Sequence, residues 1–155
     1  IPLIWDAINK NYSLTLYSDK MTRFMINIED AMDLIEKGLK VSGYNVIPNL
    51  KSFLVKDLFE IFKEEFNLNY NIGEPRISEK LHEIMVAKEE VSRTFYDKID
   101  EVYYMHYKDM ADSHIKVLHN EAEIINGKFG SDDVVVSKDE LRQMLKYYNY
   151  FRWIR

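Results

Sequence analysis

Between Met21 and Ile72 the hydrophobic pattern changes period again and again, and this most constrains the fold. Met21 to Ile26 reads as a strand. Ile28 to Leu39 then carries apolar residues at helical spacing, with Ile28, Ala31, Met32, Leu34, Ile35 and Leu39 as the stripe expected to face a core. Asn27 stands where a cap is needed, and Glu29 and Asp30 suit the positive end of that helix. Gly38 and Gly43 break the pattern, Tyr44 to Ile47 reads as a strand, and Pro48-Asn49 stops it. Lys51 or Ser52 opens a second helix reaching to about Phe66, with Phe53, Leu54, Leu58, Ile61 and Phe62 inward. Leu68 to Ile72 is the next strand. Strand, helix, strand, helix, strand predicts an α/β fold of crossover units, whose ligands sit outside the carboxyl ends of strands.

The flanks fill out a small mixed domain of short strands and helices over residues 1–155. Ile1 to Lys10 predicts a helix with Pro2 in its first turn, and Ser13 to Tyr17 a short strand. Ala87 to Thr94 predicts a short helix and Glu101 to Tyr107 a strand. Asp109 to Asn126 is polar and is expected to be partly helical and exposed. Gly127, Gly130 and Ser131-Asp132-Asp133 make turns. Ser137 with Glu140 is a capping-box signal for a helix over Lys138 to Tyr147. The aromatic, basic end from Tyr148 to Arg155 is expected to dock on a core or a partner.

After the last strand of the repeat comes Gly73 to Met85. Gly73 and Pro75 punctuate a loop, Arg76 stands at its mouth, and Ser78 is placed to cap a short helix with Leu81, Ile84 and Met85 on its apolar side. An arginine fixed there presents a planar donor fork suited to a phosphate or a carboxylate. The plainer alternative is a solvated face in which Arg76, Glu79, Lys80 and Glu83 form weak ion pairs.

Composition excludes several function classes. A net charge of -5 argues against a general nucleic-acid or membrane-surface binder. There is no cysteine, hence no disulfide framework or thiolate metal site. His82, His106, His114 and His119 lack metal-ligand spacing. No apolar run approaches the ~20 residues of a membrane span. Aromatic residues reach 14%, with eleven tyrosines, so some aromatic faces are expected to meet a partner or another domain. The five glycines stand apart, and none forms a phosphate-cradling Gly-rich loop. Tyr104 and Lys108 spell Tyr-x-x-x-Lys, but on a predicted strand, where four residues span ~13 Å, against ~6 Å of helix rise.

Two segments carry a resemblance. Arg76-Ile77-Ser78-Glu79-Lys80-Leu81-His82-Glu83 resembles the Arg-Pro-Gly-Glu-Lys-Leu-His-Glu segment of nucleotide-sugar 4,6-dehydratases, which are extended short-chain dehydrogenase/reductases. The nearest type is the inverting UDP-N-acetylglucosamine 4,6-dehydratase of surface-polysaccharide and flagellin-sugar pathways. Met21-Thr22-Arg23-Phe24-Met25-Ile26, followed by Glu29-Asp30, is similar to that family's Met-Thr-Arg-Phe stretch. Further similarity runs through Val46-Ile47-Pro48 and from Ser131 to Leu145. Ile77-Ser78 replaces the family's Pro-Gly, which changes the turn, and Asn49 replaces its lysine after Val-Pro.

The resemblance implies the substrate domain of an extended short-chain dehydrogenase/reductase without its Rossmann part, which in the family precedes residue 1 and holds NADP or NAD. It implies that Arg23 and Arg76 clamp the diphosphate of a UDP-sugar, UDP-N-acetylglucosamine first, with Glu79, Thr22 and Asn49 as weaker contacts. Lys80, His82 and Glu83 are expected to face solvent or lock the local turn. The full enzyme is expected to oxidise C4, eliminate water across C5 and C6 and return hydride to C6, and this chain alone to be inactive. A cytoplasmic location, self-association and the absence of nucleic-acid or membrane partners complete the expectation. The alternatives are a non-catalytic protein-interaction module of the same fold and the substrate domain of a related nucleotide-sugar epimerase.

Overall fold

A computed structural model describes residues 1–75, 77–108 and 122–152, Ile124 by its backbone alone. Arg76, His114, His119 and most of the polar stretch after Tyr107 lie outside the described residues. The chain forms two compact units, of small mixed α/β character. One comprises Ile1–Met25, Lys51–Glu83 and Ser131–Arg155, the other Ile26–Leu50 and Ile84–Gly130.

The first unit is built on helix packing. Its elements are α1 (Pro2–Lys10), β1 (Leu14–Leu16), β2 (Thr22–Phe24), β4 (Ser52–Leu54), α3 (Val55–Phe66), β5 (Tyr70–Ile72) and α4 (Lys138–Tyr147). Trp5 of α1 meets Phe62 and Phe66 of α3 edge-on, with ring centroids 5.2 and 4.7 Å apart. Leu141 and Leu145 of α4 are fully buried in the same core. The expected end of α4 holds: Ser137 accepts from the Glu140 N–H at its start. The aromatic tail docks as expected, for Trp5 Nε1 donates to the Tyr150 carbonyl at 2.9 Å and Phe151 packs on Phe62.

In the second unit, α2 (Ile28–Leu39) follows its Asn27 cap, which accepts from the Asp30 N–H. β3 (Tyr44–Pro48), β8 (Val102–His106), β7 (Thr94–Asp97) and β9 (Ala122–Ile124) form an antiparallel sheet in that order. A 3₁₀ turn, Lys88–Arg93, precedes β7, and β6 (Ile84–Val86) pairs with β10 (Phe129–Gly130). One face of the sheet buries Phe95, Val102 and Tyr104, joined by Val46 of β3, with Leu34 and Val41 packed against them.

Four expectations need correction. The strands between residues 21 and 72 do not enter one crossover sheet: β2 pairs antiparallel with β4, β3 joins the other unit, and β1 with β5 is the parallel pair. Ser52 to Leu54, expected as helix, is strand, because Phe53 is held opposite Arg23 in that pairing. No helix follows Ser78. The backbone there is engaged elsewhere: Leu81 O accepts from Thr22 N–H, while Glu83 exchanges both its backbone groups with Ser131. The apolar stripe of α2 is not a core face either. Ile28, Met32, Ile35 and Leu39 are all more than half exposed, while Leu34 packs inward. The turn at Gly73 also has a steric reason, since a Cβ there would lie 2.6 Å from Thr15 Cγ2 of the paired strand.

Candidate functional site

The pairing of β2 with β4 fixes Thr22 inward and turns Arg23 along the segment from Glu79 to Glu83. All three guanidinium nitrogens of Arg23 are engaged. Nη2 donates to Glu79 Oε1 and to the Lys80 carbonyl, each at 2.9 Å. Nη1 donates to the Thr22 carbonyl at 2.7 Å and to that of Leu81 at 3.4 Å. Nε lies 3.5 Å from Glu83 Oε1. Arg23 and Glu79 are each about three-quarters buried, so their pair is better shielded than a surface one. Glu79 occupies a donor position that an incoming anion would need.

Behind Arg23 runs a chain of small polar groups. Thr22 Oγ1 lies 2.8 Å from His82 Nδ1 and 2.6 Å from Ser131 Oγ. Ser131 Oγ accepts from the Glu83 N–H at 2.8 Å, and Ser52 Oγ donates to the Ser131 carbonyl at 2.5 Å. Thr22, Ser52 and Ser131 are almost wholly buried. Their hydroxyls tie β2, β4, the Glu79–Glu83 segment and the turn at Ser131 into one network, which fixes the Arg23 fork from behind.

The structure thus brings Thr22, Arg23 and Glu79 together in the first unit. Asn49 belongs to the second, exposed, with its amide 3.4 Å from the Tyr96 hydroxyl. His82 and Glu83, expected to face solvent or lock a turn, support the arginine and its neighbour. Ser131 was legible only as a turn residue, because nothing local points to a partner 109 positions away. Tyr104 is buried on β8 and donates to Asp100 Oδ2 at 2.6 Å, so the Tyr-x-x-x-Lys spelling is strand packing. Among the described residues no group of three or more acidic or histidine side chains is placed to hold a metal ion, and no helix is long and apolar enough to cross a membrane.

Comparison with known proteins gives these arrangements a context. The chain is 26% identical over 163 residues to a protein of Methanocaldococcus jannaschii named as an uncharacterized membrane protein, a match covering 97% of this chain and 45% of that one. The fold is that of Pen from Bacillus thuringiensis, with a TM-score of 0.77 and 22% identity over 96% of this chain and 45% of Pen. The chain therefore spans less than half the length of either. The polysaccharide biosynthesis protein family matches residues 1–104, a stretch that contains Arg23, Asn49 and the whole Arg76–Glu83 segment. The chain belongs to the polysaccharide biosynthesis protein family.

Proposed function

We propose that this chain is the UDP-sugar-binding portion of a nucleotide-sugar 4,6-dehydratase of the UDP-N-acetylglucosamine type, acting in the cytoplasm in surface-polysaccharide or glycan synthesis. The observation that carries the reading is Arg23: a guanidinium fixed on all its nitrogens, inside the family-matched stretch, beside a carboxylate that a diphosphate can displace. Arg23 and Arg76 form the clamp. Thr22 holds the backbone of the clamp, Glu79 keeps the fork filled until ligand arrives, and Asn49 is a weaker contact. Each charge-assisted bond to a phosphate contributes about 1.5 to 3 kcal/mol.

The residues of this chain do not fit a nicotinamide dinucleotide. β4 runs straight into α3 at Leu54–Val55 with no glycine between them, and the five glycines are scattered. NADP or NAD is assigned to a Rossmann part of the longer enzyme, and this chain alone has no dehydratase activity. A second reading, a protein-interaction module, draws on the exposed apolar side of α2.

Thermal unfolding with and without UDP-N-acetylglucosamine tests the first reading, because a ligand that binds only the native state raises the midpoint with its concentration over Kd. The expected result is a rise for the wild-type chain that disappears in Arg23→Ala and in Arg76→Ala. No rise at millimolar ligand moves the interaction module ahead.

A further inference from the structure

Tyr96 and Tyr103 stand directly opposite each other on β7 and β8, on the sheet face away from the Phe95–Tyr104 core. Their rings are 5.0 Å apart and tilted by 53°. Phe129 lies 4.8 Å from Tyr103, so three aromatic rings form a continuous floor. Above it is an open cavity of about 390 Å³, lined also by Asn49, Glu123 and Asn126. That volume lies in the range of small-molecule sites.

The chemistry of the lining is specific. Aromatic faces present apolar area with a negative quadrupole, which suits the C–H faces of a saturated ring. Around that floor, two amides and two phenol hydroxyls supply both donors and acceptors. The Tyr103 hydroxyl is protonated at neutral pH, as any tyrosine is, and burial pushes it further up, so it is available as a donor. The lining is not of one sign: it holds one acid, Glu123, which is paired with Lys98 at 2.6 Å, and one base, Lys128. The site therefore asks for a neutral, hydroxyl-rich ring rather than an ion.

We propose that the Tyr96–Tyr103 cavity, lined wholly by residues of the second unit, is a binding site for a pyranose sugar. The pyranose stacks on Tyr96 and Tyr103, and its hydroxyls are read by Asn49 and Asn126. Its lining residues all belong to the second unit, and Asn49, the weaker contact named above, is the one residue it shares with the reading of the Arg23 site. The sugar can arrive as part of a glycan or of a sugar nucleotide, since the chemistry recognised is the same.

Saturation-transfer NMR on the 155-residue chain tests this, with N-acetylglucosamine, UDP-N-acetylglucosamine and UDP in separate samples. The expected result is saturation of the pyranose ring protons of both sugar ligands at millimolar concentration, weakened about fivefold by Tyr96→Ala. Asn49→Ala, an exposed polar change that leaves the sheet intact, weakens it too. Equal signals from both sugar ligands indicate recognition of the ring alone; a stronger one from the sugar nucleotide that persists in Arg23→Ala indicates that the nucleotide-linked form is preferred. No saturation of either sugar, or saturation unchanged in both variants, overturns the proposal. So does a signal from UDP that is lost in Tyr96→Ala, which would make the floor a base platform. The Arg23→Ala chain with UDP reads the diphosphate clamp on its own, so either site can fail without the other.

Discussion

Arg23 Nη2 and Glu79 Oε1 meet at 2.9 Å across 56 positions of sequence, inside a fork that also holds three backbone carbonyls and faces the Glu83 carboxylate. The pair has two consequences that can be separated. Arg23→Ala removes several charge-assisted bonds at once and leaves Glu79 partly buried without its cation, so a loss of about 2 kcal/mol is expected in urea unfolding. Glu79→Ala leaves the guanidinium in place and removes its competitor. UDP affinity is then expected to rise severalfold, read by the ligand-induced shift in melting midpoint. A fall in affinity would instead make Glu79 a direct ligand contact.

Ser131 holds that fork from behind. Its hydroxyl takes up the Glu83 N–H and meets the Thr22 hydroxyl, all but sealed from water. Ser131→Ala leaves both without that partner, at a cost of about 1 to 3 kcal/mol. The same substitution loosens the segment that supplies the carbonyls of Lys80 and Leu81 to Arg23, so UDP binding should weaken in parallel. Stability lost with binding unchanged would confine Ser131 to a structural role.

Much of this was legible in the sequence, and the limits have physical causes. Helices α1, α2 and α4 follow from periodicity and caps, because both are local signals: Asn27 and Ser137 each cap as their spacing predicts. Arg23 and Glu79 stand in the two motif segments, and they bond. Long-range pairing was not legible. Nothing near Ser52 tells a strand from a helix start until Arg23 stands opposite Phe53, and nothing near Ser78 shows that its neighbours' backbone bonds go to Thr22 and Ser131. The α2 stripe has core periodicity, yet which side of a helix meets the sheet depends on where the sheet lies. Tyr96 and Tyr103 were visible as tyrosines but not as opposed partners, since that needs the β7–β8 register.

The ion pairs between α3 and α4 give the chain an acid limit. Hydrogen bonds from Lys138 hold the Glu60 and Glu64 carboxyls below their ordinary value, and Arg142 adds to the effect on Glu64. A depressed carboxyl stabilises the fold above its unfolded value of 4.5 and loses that contribution as pH falls through the folded value. Lys138, raised by Glu64 and Glu60, keeps its contribution until pH climbs past 10.5. Asp57 works the other way, because burial raises its carboxyl and protonation favours the fold. Urea midpoints should therefore drop below pH 4.5, less steeply in Lys138→Met and in molar salt, which screens exposed pairs. Equal acid sensitivity in wild type and Lys138→Met would remove this network as the cause.

Tyr104 sets an alkaline limit. Burial and its hydrogen bond to Asp100 push its hydroxyl well above the ordinary tyrosine range. A raised group stabilises the fold below its unfolded value of 10.0 and loses that contribution as pH rises beyond it. Tyr104→Phe should cost about 1 kcal/mol at neutral pH and flatten the alkaline loss of stability. Ultraviolet absorbance during an alkaline titration checks it: one late-titrating tyrosine should vanish from the curve in the variant.

Along α2, Ile28, Met32, Ile35 and Leu39 follow one another at spacings of four, three and four, the seam of a heptad, and all four face solvent. An apolar stripe left in water drives association, because burying it removes apolar area from solvent. The flanking charges choose among geometries: Glu29 and Glu36 lie beside the seam on one side, so two copies of α2 packed antiparallel would set acid against acid. The chain is therefore expected to self-associate weakly, with sedimentation that depends on concentration. Met32→Glu with Ile35→Lys should abolish that dependence while changing stability by no more than about 0.5 kcal/mol, since neither side chain is in the core. A loss of several kcal/mol in that double variant would mean that the seam is part of the folded core. Unchanged sedimentation with unchanged stability would move the association to another surface.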